Sequence, residues 1–147
     1  MVCGLGADGI AYVLADCSEG GLTPKAWARK AARAAEAWRA HRVVAEKNNG
    51  GEMVEEVLRG ADSGLPVTLV HAADGKSARA EPVAVLFEAG KAKIAGAFPE
   101  LEDELAGFTA AGWQGAGASP DRADAMIWAM TELAVKPPRA EPRIRVL

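Results

Sequence analysis

The run Val43-Val-Ala45 is short, apolar and β-branched, and it stops at Glu46 before Lys47-Asn-Asn-Gly-Gly51, which has the chemistry of a loop. From Glu52 to Arg59 the apolar residues Met53, Val54, Val57 and Leu58 fall at helical spacing, and Gly60 follows as a stop signal. A second apolar run, Val67-Thr-Leu-Val70, completes a strand, helix, strand unit. Such a unit demands a parallel pair with a right-handed crossover, and open parallel sheets carry their sites at the carboxyl ends of strands. Glu46 stands at such an end.

The rest of the chain is read around that unit. Its 147 residues, half of them apolar, suit one domain that buries roughly 68–70% of the surface its unfolded form exposes. A formal net charge of −3 does not advertise a nucleic-acid binder, so any basic surface has to be local. Cys3 and Cys17 lack metal-ligand spacing, and two cysteines with no secretory segment suit a reducing cytosol. No apolar run approaches the ~20 residues of a membrane span. The expectation is a soluble, intracellular protein.

Gly4-Leu-Gly-Ala-Asp-Gly9 spells GxGxxG. A dinucleotide fingerprint follows a full strand and opens a helix, whereas Ile10 to Ala15 reads as a strand, so Ala7-Asp8-Gly9 is the turn of an antiparallel hairpin. Asp8 and Asp16 are then turn and strand-end residues. Thr23-Pro24 caps and opens a helix to about Ala40, with Trp27, Ala31, Ala34 and Trp38 as its core stripe. Lys25, Arg29, Lys30 and Arg33 lie opposite; they could track a phosphate backbone, but the favoured reading is a solvated face. His41 is taken as structural.

Gly75-Lys76-Ser77 imitates the end of a Walker A loop, yet Val70 stands where that loop needs glycine. Lys76 and Arg79 still sit beyond a parallel strand and near a helix start, where they could hold a phosphate or simply face water. Pro82 is placed in that helix's first turn, and Lys91 to Phe98 reads as a short strand or hairpin. Pro99 opens a helix edged by Phe98, Leu101 and Leu105, whose Glu100, Glu102, Asp103 and Glu104 are read as solvated. Gly107 to Ala118 is glycine-rich and without pattern. Ser119 caps the last helix, Pro120 begins it, and Met126, Ile127, Trp128 and Met130 bury it. Asp121 and Asp124 share the first turn of that helix, where the helix dipole alone could explain them. With Glu46 they make an all-oxygen set suited to Mg²⁺ or Mn²⁺, and paired ions of that kind cleave phosphodiesters. No cysteine or histidine cluster argues for zinc.

Four ordered blocks, Arg42-Val-Val-Ala-Glu-Lys-Asn-Asn-Gly-Gly51, Lys76-Ser-Ala-Arg-Ala-Glu-Pro82, Gly96-Ala-Phe-Pro-Glu-Leu-Glu-Asp-Glu-Leu105 and Ser119-Pro-Asp-Arg-Ala-Asp-Ala-Met-Ile-Trp-Ala129, resemble the C-terminal nuclease domain of phage large terminases. The likeness runs over about residues 2 to 134 and is nearest to terminases of prophages and gene transfer agents. It implies an α/β, ribonuclease H-like mixed sheet flanked by helices, and a two-metal endonuclease that cuts concatemeric DNA during packaging into proheads. Glu46 matches the family's second acidic position, and Asp121 and Asp124 match the cluster at the start of its last helix, which gives these three to Mg²⁺ or Mn²⁺; in an endonuclease Lys76, Arg79, Asn48 and Asn49 would then hold the DNA. Double-stranded DNA, the terminase ATPase domain, the small terminase subunit and the portal are the implied partners, in the cytoplasm of a bacterial host.

Two features depart from that family. Its members carry a first metal-binding aspartate on a central strand ahead of the hairpin, and no acidic residue precedes Asp8 here. A Walker A motor domain is likewise expected to be absent. The expectation is an incomplete nuclease domain over 1–135 with an extended tail over 136–147, its missing strand next to Val43–Ala45. Activity is left open between an endonuclease and an inactive fragment that only binds DNA or the packaging complex.

Overall fold

A computed structural model describes residues 1–47, 51–109, 112–115 and 119–136, with the backbone alone described at residues 51 and 52. The hairpin forms as its turn chemistry requires: β1 (Val2–Leu5) pairs antiparallel with β2 (Ala11–Ala15). The turn closes with Gly9 N–H donating to the Gly6 carbonyl at 2.9 Å, and Gly9 takes a φ of 77°, which glycine adopts without strain. Asp8 accepts from the Ile10 N–H at 3.0 Å and from the Tyr12 hydroxyl at 2.8 Å. The backbone bond, then the hydroxyl, holds its carboxyl below the usual range.

Helix α1 (Pro24–Ala37) starts at Thr23, whose hydroxyl accepts from the Ala26 N–H at 3.3 Å. Buried Ala28 and Ala35 define its inner face. Trp38, the C-cap of the helix, was expected in the core but is 46% exposed, because with Trp27, Ala31 and Ala34 it lines an open cleft. The strand, helix, strand unit follows: β3 (Val43–Glu46), α2 (Gly51–Ala61) and β4 (Val67–Val70), with β3 and β4 parallel and Glu46 opposite Val70. Helix α3 (Lys76–Glu88) contains Pro82 in its interior, not its first turn. The helix begins as early as Lys76, so Pro82 leaves the Ala78 carbonyl without its usual helical donor.

Strand β5 (Ala92–Ile94) joins β2 in parallel, α4 (Pro99–Ala106) follows, and the glycine-rich stretch holds a small hairpin, β6 (Phe108–Thr109) with β7 (Gly112–Trp113), where no structure was expected. A Cβ on Gly107 would stand 2.7 Å from the Gly115 backbone, so glycine serves close chain approach there. Helix α5 (Asp121–Met130) continues into a π-helical turn (Thr131–Val135). Ser119 does not cap α5; Pro120 holds the cap position with no side-chain bond.

The fold is therefore mixed α/β, but its sheet is divided. One sheet runs β1-β2-β5 and another β3-β4. The core is divided likewise. Ala11, Val13, Val83, Leu101, Met126, Ile127 and Met130 pack around the first sheet, while Ala28, Ala35, Leu58 and Leu65 pack with Val43, Ala45 and Val67 around the second. Each buried Leu, Ile or Met contributes roughly 1.5–3 kcal/mol. Between the halves lies a cleft of about 1190 Å³ lined by β1, by Val43, Val44 and Glu46 of β3, and by residues of α1 and α5. No helix among the described residues is long and apolar enough to cross a membrane.

Candidate active site

Three element ends meet at one rim of this cleft. The parallel pair delivers Glu46 at the carboxyl end of β3, and the Lys47 N–H continues the ladder to the Val70 carbonyl at 2.6 Å. The first turn of α3 presents Lys76 and Arg79, one helical turn apart and so on the same face. The first turn of α5 presents Asp121 and Asp124 on the same principle.

Arg79 stands between the carboxylates. Its Nη2 donates to Asp124 Oδ1 at 2.6 Å, and its Nη1 lies 3.7 Å from Glu46 Oε1. Lys76 Nζ lies 3.6 Å from Asp124 Oδ2 and donates to Ser119 Oγ at 2.8 Å. Ser119 is thus a partner of Lys76, while Pro120 holds the cap position of α5. Trp128, one turn beyond Asp124, donates its indole N–H to Glu46 Oε2 at 3.1 Å, and the Arg79 guanidinium lies 4.7 Å from the centroid of its ring. The Arg79, Asp124 and Glu46 side chains are 10%, 13% and 22% exposed, so water screens these charges little. Among the described residues Arg79 Nε is enclosed without a hydrogen-bond partner.

Asp121 lines the same cleft but is exposed, and no ion pair involves it among the described residues. Asn48 and Asn49 lie outside the described residues.

Two side chains that sequence reasoning set aside, Glu104 and Asp16, and one it did not single out, Arg122, position α5. Glu104, expected in solvent, is 16% exposed: its Oε2 accepts from the Ala123 N–H at 2.9 Å, in the first turn of α5, and its Oε1 lies 3.5 Å from Arg122 Nη1. It caps the helix from a neighbouring element. Arg122 also donates from Nε to Asp16 Oδ2 at 2.9 Å, tying α5 to the end of β2. Burial would raise the Asp16 carboxyl, but bonds from Ser18 together with the Arg122 charge hold it below the usual range. The Arg122 guanidinium is raised in turn, first by its bond to Asp16. The one usable signal in the sequence was Trp128, since an indole N–H near a core needs an acceptor.

Among the described residues no group of three or more His, Cys, Asp and Glu side chains is arranged around a metal position. The donor chemistry nevertheless suits a hard divalent ion: two carboxylates converge on a cation already, the Arg79 guanidinium, and Asp121 lines the same cleft. What this rim can do as it stands is hold positive charge between a strand end and a helix start.

A family model described as a terminase RNaseH-like domain matches residues 2–133. No curated protein and no solved structure matches the chain at a significant level.

Proposed function

The chain belongs to the family of terminase RNaseH-like domains, the nuclease domain of large terminases, and from that premise we propose that it is a metal-dependent endonuclease domain that cuts concatemeric double-stranded DNA during packaging. The observation that carries this reading is the convergence of Glu46 and Asp124, from distant parts of the chain, on one cation at a strand-end rim. Glu46, Asp124 and Asp121 would hold Mg²⁺ or Mn²⁺. Bound there, the ions would supply an activated water and charge stabilisation at the scissile phosphate.

The remaining roles belong to the chain's own side chains. Trp128 fixes one oxygen of Glu46, and Glu104 and Arg122 fix the start of α5 and with it Asp124. Lys76 and Arg79, together with Asn48 and Asn49, hold the DNA backbone. The same reading assigns a further strand to the cleft between β1 and β3, the position of the family's central first strand. The divided sheet supports it: β1 and β3 each pair on one side, and both line the cleft. We assign residues 1–135 to the domain and 136–147 to a tail. The ATPase domain of the terminase, its small subunit and the portal are the proposed partners, in the cytoplasm of a bacterium carrying the phage or prophage.

Nicking of supercoiled plasmid in Mn²⁺ tests the reading, with this chain alone and with a version extended upstream by such a strand. We expect nicking that Glu46→Ala and Asp124→Asn each lower by about a hundredfold or more. Nicking that Glu46→Ala leaves unchanged would sink it. The divided sheet and the occupied carboxylates also favour a second reading, a non-catalytic module that binds DNA or the packaging complex. That reading expects DNA retention without nicking in either version.

A further inference from the structure

We propose that Arg79 is an internal cation held in the place of the divalent ion, and that ion binding and the Arg79 ion pairs exclude one another. The inference rests on the metal-dependent reading above and concerns how that site is loaded. One guanidinium serves both carboxylates, at 2.6 Å from Asp124 and 3.7 Å from Glu46. Charge-assisted bonds of the shorter length are the strong kind.

Glu46 has both oxygens engaged, Oε1 toward Arg79 and Oε2 by the Trp128 indole. An ion approaching Glu46 and Asp124 together meets the guanidinium on the lines it would need. Two like charges cannot share that volume where water screens them so little. The guanidinium therefore has to leave.

Its present pose is held by charge and by the Trp128 face, not by complete hydrogen bonding, because the enclosed Nε has no partner among the described residues. A doubly charged competitor for the same carboxylates removes the reason for that pose. Arg79 projects from the first turn of α3, and a released guanidinium carries a planar donor fork that matches a phosphate. Exchange at this point makes loading of the ion and gripping of DNA one event. In the ion-free protein, Arg79 keeps two carboxylates from repelling each other across the rim.

The experiment is a Mn²⁺ titration of the whole chain, read by calorimetry, for wild type, Arg79→Met and Glu46→Gln. Met keeps the length of the side chain over Trp128 without its charge. We expect Arg79→Met to bind Mn²⁺ roughly tenfold more tightly or better, the scale set when a closed form must open before binding. Equal or weaker binding by Arg79→Met, with Glu46→Gln abolishing it, overturns the exclusion and leaves the metal reading intact. Absence of Mn²⁺ binding in wild type and Arg79→Met alike overturns both. A second measurement needs no substitution: the Arg79 Nε–H resonance followed by NMR during Mg²⁺ addition. We expect it to shift in step with the Glu46 and Asp124 amides. Saturation of those amides with the Arg79 resonance unmoved overturns the exclusion.

Discussion

Arg122 binds three elements through two carboxylates: Asp16 at the end of β2 and Glu104 in the last turn of α4, from its own place in the first turn of α5. The Asp16 carboxyl is held below its ordinary range, so its share of stability is complete above that range and is lost as pH falls through the lowered value. Asp16→Asn removes the charge permanently. Its cost is expected to be up to about 1 kcal/mol near neutral pH, discounted for partial solvent screening, and to vanish in acid where the wild-type group is itself protonated. Urea denaturation at neutral pH and at about pH 2 measures both ends. A cost that persists undiminished in acid would show that Asp16 acts through packing and not through its charge. Single residues were also where the sequence was hardest to read. Glu100, Glu102, Asp103 and Glu104 look alike in the sequence, and only the docking of α4 against α5 decides that Glu104 turns inward. Arg79 posed the same difficulty, since an arginine at a helix start reads equally as solvated or as a phosphate ligand.

Elements with their own start and stop chemistry were legible. Asp8-Gly9, Thr23-Pro24 and Pro99 each act locally, through positive φ, a hydroxyl cap or a missing N–H, and each element formed where that chemistry placed it. Elements settled by distant contacts were not. Ser119 has the form of a cap, but Lys76 takes its hydroxyl, and the β6-β7 hairpin depends on the approach of Gly107 to Gly115. The close of α1 shows local chemistry overridden: the Ala40 N–H donates to the Ala35 carbonyl at 2.8 Å and the Arg39 N–H to the Glu36 carbonyl at 3.0 Å, while Arg39 takes a φ of 47°. That geometry usually employs glycine, because a Cβ is strained there. Arg39→Gly is expected to stabilise the protein by about 0.5–1 kcal/mol, read from the urea midpoint at constant slope. Loss of stability instead would mean that the arginine side chain makes a contribution larger than its backbone strain.

The molecule as a whole is two half-cores with a cleft between them, and that division governs how it should open. Cooperativity comes from apolar contacts shared across a structure, and here one cluster packs on β1-β2-β5 while the other packs on β3-β4. Among the described residues strands β1 and β3 each leave one edge without a ladder partner, and exposed Leu5 and Trp38 line the space between. A strand seated in that cleft would pair with both edges, cover both side chains and join the two clusters through one sheet. Native-state hydrogen exchange on the chain as it stands should therefore show two groups of amides with different opening free energies. The α2, β3 and β4 amides should open apart from those of β2, β5 and α5. With an added upstream strand the two groups should merge and the β3 amides should become the slowest of their half. A single exchange class in the chain alone, with β3 as protected as β2, would mean that the halves are already coupled through α5 and that the cleft needs no strand. The ion pair between Arg42, just ahead of β3, and Glu132, just beyond α5, is a ready route for such coupling. Glu132→Gln separates these possibilities, since it should loosen the halves only if that route carries the coupling.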